Sequence, residues 1–192
     1  VYRARNRLID RVVAIKMLLP EHAAQPDLVE RFLREARSAA AVRHPNVIDV
    51  LDIIEDERGT PFIVEELLEG EDLSKYLERA GKGIAPLRAL ELLLPAIDGV
   101  AAAHSKGVVH RDLKPENIFL ARGEGHIVPK VVDFGLSKTT NVPGEVRLTA
   151  SNVVMGTPAY MSPEQVQRPD QVGPQSDVWS LGVVLYESIS GA

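Results

Sequence analysis

Residues 110–117 contain side chains whose types and spacing suit phosphoryl-transfer chemistry. Asp112 and Asn117 lie five residues apart, with Lys114 between them, so a carboxylate and an amide can converge on one reacting centre. Apolar residues directly before and after this stretch predict two short buried strands, and loops held in this way position catalytic groups. A solvated loop would not need apolar flanks, and a buried loop would not carry this many unpaired charges. We therefore interpret the stretch as a candidate phosphoryl-transfer site.

The composition is that of an ordinary globular protein. The 192 residues are 45% hydrophobic and 26% charged, which is enough to build a sizeable core. The formal net charge of −5 provides no basic field, so nucleic acid is not an expected partner. The absence of cysteine excludes disulfides and a cysteine nucleophile. The apolar runs are far shorter than the ~18 residues that a membrane span requires, so we expect no span in this sequence.

A lysine interrupts an apolar, β-branched run near the start of the chain. Residues 12–18 are predicted to form a buried strand, with Ala14 and Lys16 on the same face. An unpaired buried ammonium group is costly, so Lys16 needs a counter-charge or an anionic ligand. The alternative is a lysine at a sheet edge whose ammonium group reaches solvent.

A carboxylate lies on the apolar stripe of the next predicted element. Asp27 and Glu30 resemble a capping box that begins a helix of residues 27–42. Its inward stripe consists of Phe32, Ala36 and Ala39. Glu35 lies on the same stripe, which is explained most simply if Glu35 and Lys16 are partners. The alternative is a slightly rotated helix with Glu35 in solvent, which would leave Lys16 unexplained.

The remaining patterns predict strands in the first part of the chain and mainly helices in the second. We expect a hairpin of residues 47–54 and 61–67, a helix at 72–79, a helix at 87–104 kinked or locally distorted by Pro95, a hairpin of 118–120 and 128–132, and a helix at 176–189 started by Ser176 and Asp177. Residues 136–155 lack a convincing period and are expected to be mobile. The boundary between the two parts is placed near Gly70.

The order of five short motifs resembles that of the eukaryotic-like (Hanks-type) serine/threonine protein kinases, and the alanine-rich composition resembles their bacterial branch. The motifs are VAIK at 13–16, HRDLKPEN at 110–117, DFG at 133–135, SPE at 162–164 and DVWSLG at 177–182. The resemblance implies an α+β, bilobal protein-kinase-like fold. Residues 1–69 would form a small β-rich N-lobe with one helix, residues 66–70 the hinge region, and residues 70–192 a larger, mainly helical C-lobe.

The resemblance also implies roles in transferring the γ-phosphate of ATP. Asp112 would accept the proton of the substrate hydroxyl, and Lys114 would contact the γ-phosphate. Lys16 would hold the α- and β-phosphates while paired with Glu35. His110 is interpreted as a packing residue, because the phosphoryl mechanism does not need it as a proton carrier.

The nucleotide site implied by the resemblance contains both metal ligands and adenine contacts. Asn117 and Asp133 would bind Mg²⁺ or Mn²⁺, hard cations that prefer oxygen ligands. The adenine would contact Ala14, Phe119, and the hinge residues Glu66 and Leu68. Glu65 falls at a position that is usually apolar or threonine in the family, and its carboxylate could compete with Glu35 for Lys16.

The resemblance extends to serine/threonine specificity and regulation through five positions. Lys114 and Thr157 match the serine/threonine kinases rather than the tyrosine kinases. Arg111 implies a contact with a phosphorylated activation loop, for which Thr149 and Ser151 are the candidate sites; the alternative for both is ordinary loop polarity. The resemblance further implies protein substrates, homodimerisation for autophosphorylation, and a cytoplasmic kinase domain whose full-length protein carries any membrane tether outside this sequence.

Two departures from the family pattern shape the expectation. No glycine-rich loop precedes the VAIK strand, and the sequence ends before the last helices of the large lobe. We therefore expect part of a longer kinase that has little activity and marginal stability alone. Glu164 would pair with an arginine outside this sequence, and loss of such a buried partner costs roughly 3–5 kcal/mol.

Two rival hypotheses share parts of this pattern. A pseudokinase, acting as a scaffold with the same fold, would be expected to lack one of Lys16, Asp112, Asn117 or Asp133, and all four are present. A small-molecule phosphotransferase would have no reason to carry the SPE and DVWSLG segments, which resemble the peptide-binding side of protein kinases.

Overall fold

The computed structural model describes residues 1–57, 59–134, 158–168 and 171–192, and of Glu35 only the backbone. Its first part contains β1 (Tyr2–Asn6), β2 (Arg11–Met17), α1 (Pro20–Ala23), α2 (Pro26–Ala40), β3 (Val50–Glu55) and β4 (Pro61–Glu66). Its second part contains β5 (Gly70–Asp72), α3 (Leu73–Ala80), α4 (Pro86–Ser105), β6 (Ile118–Arg122), β7 (Ile127–Val131), α5 (Pro163–Gln167) and α6 (Pro174–Ser190), with short 3₁₀ helices at Pro115–Asn117 and Pro158–Tyr160.

The first sheet is antiparallel and has the strand order β1-β2-β4-β3. In the central pair Ala14 lies opposite Glu65, and Lys16 lies opposite Ile63. Directly paired residues project to the same face of a sheet, so Lys16 and Glu65 share one face. The predicted strand at 12–18 is confirmed.

The predicted hairpin of β3 and β4 is also confirmed, although β3 begins at Val50 rather than at residue 47. The preceding residues pair elsewhere: Val47 forms an isolated parallel bridge with Val131, and the Ile48 N–H donates to the Val131 carbonyl at 2.9 Å. Because Val47 and Ile48 pair with β7, they are not part of the hairpin.

Helix α2 packs one face against the first sheet. Phe32, Ala36 and Ala39 are all buried, as the predicted stripe requires, and Phe32 and Ala36 contact Ile63 of β4. The predicted capping box is wrong, because the N-cap is Gln25 and its side chain makes no capping hydrogen bond. Proline suits the first helical position, since its fixed φ fits and its missing N–H needs no partner there; Pro26 therefore starts the helix.

The second sheet has the order β5-β6-β7. Residues 67–69 thus connect strands of two different sheets. Gly70 begins β5 with φ of 149°, and a Cβ there would lie 2.1 Å from the Leu120 carbonyl oxygen. Only glycine permits this close approach of the backbones of β5 and β6.

The main core lies between the second sheet and helices α4 and α6. Its most buried side chains include Leu73, Leu92, Leu93, Leu113, Ile118, Val131, Phe134 and Val184. Helix α4 is one continuous element that includes Pro95. Helix α6 begins at Pro174, two residues earlier than Ser176, so the predicted start is wrong and Ser176 and Asp177 lie buried inside the helix.

Within the described ranges, no helix combines the length and apolarity needed to cross a bilayer. The segment 136–155, predicted to be mobile, lies outside the residues that the structure describes.

Candidate active site

A buried carboxylate from α6 holds the backbone of the 110–117 loop. Asp177 is fully buried, and its Oδ1 accepts the Arg111 N–H at 2.8 Å while its Oδ2 accepts the His110 N–H at 2.9 Å. Arg111 has φ of 68°, a left-handed conformation that is unfavourable for a non-glycine residue. The two charge-assisted hydrogen bonds offset this strain and fix the residue that precedes Asp112.

The same carboxylate is also bound by a histidine at the end of α4. His104 Nε2 lies 2.7 Å from Asp177 Oδ2, and because a carboxylate only accepts, the nitrogen must donate. Asp177 therefore receives hydrogen bonds from three groups on two segments. Sequence patterns assigned Asp177 to a helix start and to the DVWSLG motif, and gave it no contact with the 110–117 loop. A carboxylate on an otherwise strongly apolar helix was the signal that could have revealed this role.

His110 packs inside the protein as a neutral ring. Its Nε2–H donates to the Val132 carbonyl at 2.9 Å, its Nδ1 accepts the Asp112 N–H at 3.3 Å, and its ring lies 4.8 Å from the ring of Phe134. Burial lowers the pKa of His110, and the Asp177 carboxylate opposes this effect. These contacts confirm the predicted packing role.

The side chains of Asp112, Lys114 and Asn117 converge, as their spacing predicts. Asn117 Nδ2 donates to the Asp112 carbonyl at 2.7 Å and lies 3.5 Å from the Asp112 Oδ2. Lys114 Nζ is also 3.5 Å from that carboxylate oxygen. The Asp112 and Lys114 side chains are partly exposed, as a site that receives a substrate requires.

A second contact joins the first sheet to the residues that follow β7. Lys16 Nζ, from β2, donates to Asp133 Oδ1 at 2.6 Å, and these residues are 117 positions apart in the sequence. Asp133 follows β7 and has φ of 59°. The predicted Lys16–Glu35 pair concerns a side chain outside the described part of the structure, so it stays a prediction.

Glu65 lies beside this contact. It shares the sheet face of Lys16, and burial raises the pKa of its carboxyl group, an effect that the nearby Lys16 ammonium partly offsets. The negative charge of Asp133 pushes the same pKa upward. Both Asp133 and Glu65 therefore lie close to the Lys16 ammonium group.

Helix α5 contacts the 110–117 loop from another direction. Ser162 and Gln165 form a capping box at its start, and the Gln165 side-chain amide donates to the Arg111 carbonyl at 2.7 Å. Glu164 accepts a hydrogen bond from the Ser176 hydroxyl at 2.6 Å, which lowers the pKa of Glu164. Sequence reasoning did not assign Gln165, because a polar residue in a short helix carries no distinctive signal. Thr149, Ser151 and Thr157 lie outside the described residues.

The family described as "Protein kinase domain" matches residues 1–192, which is the whole chain. The chain belongs to the protein kinase family. The predicted bilobal kinase-like fold class is thereby confirmed. In the residues that the structure describes, the first part is rich in strands and the second part is rich in helices, as this fold requires.

Several curated bacterial proteins are similar to this kinase domain. The serine/threonine-protein kinase pkn3 of Myxococcus xanthus is 41% identical over 197 residues, which cover 100% of this chain and 35% of that protein. The serine/threonine-protein kinase PknL of Mycobacterium tuberculosis is 39% identical over 191 residues, covering 100% of this chain and 46% of that protein. PknB of Mycolicibacterium smegmatis is 39% identical over 194 residues, with 30% of its length covered. The chain thus spans less than half the length of these relatives.

Proposed function

We propose that this kinase domain transfers the γ-phosphate of ATP to serine or threonine hydroxyls of protein substrates. The observation that carries the proposal is the contact of Lys16 in β2 with Asp133 after β7. The preceding Val132 N–H donates to the Asn117 carbonyl, so this contact lies next to the loop that holds Asp112 and Lys114. Phosphoryl transfer depends mainly on positioning and electrostatic stabilisation, which this arrangement supplies. The names of the bacterial relatives support the same activity.

Within the proposed mechanism, Asp112 accepts the proton of the substrate hydroxyl. Its carboxylate is partly exposed, and the Asn117 amide holds its backbone carbonyl in place. Lys114 Nζ lies 3.5 Å from the Asp112 carboxylate, so its ammonium group is placed beside the proposed base, where it would stabilise negative charge on the γ-phosphate. Lys16 supplies a second cation from the opposite sheet for the α- and β-phosphates.

Asn117 and Asp133 have the donor atoms that a divalent cation prefers. Because Asn117 Nδ2 is used in the hydrogen bond to Asp112, its Oδ1 is left to act as a ligand. Asp133 uses one oxygen for Lys16 and has a second carboxylate oxygen. Carboxylate and amide oxygens suit Mg²⁺, which, when bound, neutralises charge on the phosphates.

The adenine contacts and the hinge complete the proposal. Ala14 is buried in β2 next to Glu65, while Phe119 and Leu68 are half-buried in β6 and in the connection between the sheets. Residues 66–70 would form the hinge between an N-lobe of residues 1–69 and a C-lobe of residues 70–192. Protein substrates and ATP are the proposed partners.

A γ-phosphate transfer assay on the full-length protein tests this function. Removing the proposed base in Asp112→Ala should lower kcat roughly a thousandfold. Glu124→Ala is the control, because Glu124 is an exposed carboxylate in the turn between β6 and β7, outside the 110–117 loop, and should retain activity. Phosphate appearing only on small acceptors would support the small-molecule phosphotransferase, and ATP binding without transfer would support the pseudokinase.

Regulation by phosphorylation is part of the same proposal. Arg111 is held at the loop by its backbone contacts with Asp177 and Gln165, and its guanidinium would bind a phosphate on Thr149 or Ser151. Alanine at both positions should lower the activity of the phosphorylated full-length protein several-fold, as measured by initial rates. Unchanged activity of the double variant would remove this role.

A further inference from the structure

A short ion pair joins the two sheets close to the connection at 67–69. Lys130 Nζ of β7 lies 2.6 Å from Glu66 Oε1 at the end of β4, and their side chains are only 14% and 21% exposed. The same Glu66 oxygen accepts the Asp49 N–H at 2.9 Å, and the Glu66 N–H donates to the Asp49 carbonyl at 3.0 Å. One carboxylate therefore binds a strand of the second sheet and a backbone segment of the first part.

The segment before Asp49 is itself attached to β7. The Asn46 side chain donates to the Pro129 carbonyl at 2.8 Å, and the Val131 N–H donates to the Asn46 carbonyl at 2.8 Å. Residues 46–48 are thus hydrogen-bonded to β7. The Glu66–Lys130 pair extends this attachment to the last residue of β4, directly before the connection at 67–69.

The pair and the catalytic contact lie on opposite faces of β4. Side chains alternate along a strand, so Glu66 projects away from the face that Ile63 and Glu65 share with Lys16. Lys130 is three residues before Asp133. The end of β4 is therefore tied to β7 through one face of the strand, while Lys16 on the other face meets Asp133.

We propose that Glu66 and Lys130 are positioning residues that hold the two sheets in the arrangement in which Lys16 reaches Asp133. This inference rests on the proposed kinase function. Ion pairs shielded from water are screened less by salt than exposed pairs, so this contact can restrain the connection more effectively than a surface pair. Because nucleotide-binding groups come from both sheets, loosening the restraint weakens ATP binding. Asp112, the proposed acceptor of the substrate proton, lies in the second part of the chain. Its position is therefore affected less than the nucleotide site.

The test uses the full-length protein with Lys130→Met, Glu66→Gln and the double variant. Each single variant should raise the KM for ATP about fivefold and leave the KM for a peptide substrate unchanged. The double variant should resemble the singles, because residues that act as one unit are not additive. Lys130→Arg should retain most of the affinity for ATP. Arg5→Met removes the exposed Arg5–Asp10 pair, also in the first part, and should have no effect.

Two further measurements separate positioning from simple stabilisation. Calorimetry should show a matching fivefold rise in the Kd for ATP, and hydrogen exchange should accelerate at residues 46–49 and 66–70 in Lys130→Met. An unchanged Kd with a lower melting temperature would overturn the proposal, as would a rise in kcat, which would mean that the pair restrains catalysis. If the wild-type protein transferred no phosphate but the Kd still shifted, the kinase function would fail and the positioning role would survive.

Discussion

At the scale of single residues, the site depends on side chains whose burial sets their charge. His110 is buried between Val132 and Phe134 and accepts a hydrogen bond at Nδ1, which requires the neutral ring. For the Glu65 carboxyl group, burial raises the pKa, because an ionised carboxylate that loses contact with water is costly. The neighbouring Lys16 ammonium offsets this effect only in part. Both residues lead to predictions.

His110 should make stability depend on pH. Burial lowers its pKa from 6.5 in the folded protein, so the unfolded chain binds the proton more readily. The stabilisation is therefore present above about pH 6.5 and is lost as pH falls, with a slope of up to ~1.4 kcal/mol per pH unit. In His110→Phe, the free energy of unfolding in urea should vary less with pH from 6.5 downwards. The exposed His126→Gln serves as the control, and an equal slope in His110→Phe would contradict the prediction.

Replacing the Glu65 carboxylate should favour the nucleotide. Glu65→Met removes a negative charge near Lys16 and Asp133, which makes more of the lysine charge available to the phosphates of ATP. We expect ATP to bind about fivefold more tightly to the full-length protein by calorimetry, equivalent to about 1 kcal/mol. Glu55→Met, on the exposed end of β3, is the matched control. Weaker binding by Glu65→Met would show that Glu65 has a useful partner in the complex.

At the scale of elements, close backbone approaches decide where helices can pack. Helix α4 passes the 46–47 segment at Gly99, where a Cβ would lie 2.7 Å from the Asn46 carbonyl oxygen. The same segment is bonded to β7. Gly99 therefore lets α4 approach the strand that leads to Asp133.

The two helical glycines should respond in opposite ways to alanine. Gly99→Ala should destabilise the protein by about 1–3 kcal/mol, because the added methyl group meets backbone that is fixed by other hydrogen bonds. Gly182→Ala in α6 has open space around the new Cβ, and should stabilise it by up to about 1 kcal/mol through helix propensity. Urea unfolding of both variants measures the difference. Equal effects at the two sites would show that the Asn46 backbone does not oppose a Cβ at position 99.

At the scale of the whole molecule, one buried carboxylate connects α4, the catalytic loop and α6. Asp177 binds His104 and the His110 and Arg111 backbones. The Gln165 contact ties α5 to the same loop. The position of Asp112 is therefore a property of several packed elements.

Removing this carboxylate should affect both stability and catalysis. Asp177→Ala leaves buried N–H groups unpaired and should destabilise the protein by roughly 3–5 kcal/mol. Among folded molecules, kcat should fall by more than tenfold, because Arg111 is no longer held in its left-handed conformation. Urea unfolding and transfer rates corrected for the folded fraction test both effects. Ser190→Ala, at the end of the same helix, is the control. Retained kcat would mean that other contacts fix the loop.

Local patterns in the sequence were sufficient to predict the proposed chemistry and most of the helices and strands. Period-two and helical spacing predicted β2, the β3–β4 and β6–β7 hairpins and the buried stripe of α2, because side-chain direction repeats over a few residues. The spacing of Asp112, Lys114 and Asn117 likewise predicted their convergence, since all three lie within one short loop. Helix starts were predicted less well, because Gln25 and Gly173 carry no side-chain capping signal.

Only the tertiary structure decided which distant groups meet. The contacts of Lys16 with Asp133, Arg111 with Asp177 and Lys130 with Glu66 join residues that are 117, 66 and 64 positions apart. No local periodicity encodes such pairs, because they depend on how sheets and helices pack around a shared core. The sequence by itself determined which groups are available for the proposed chemistry, and the packing decided which partners orient them.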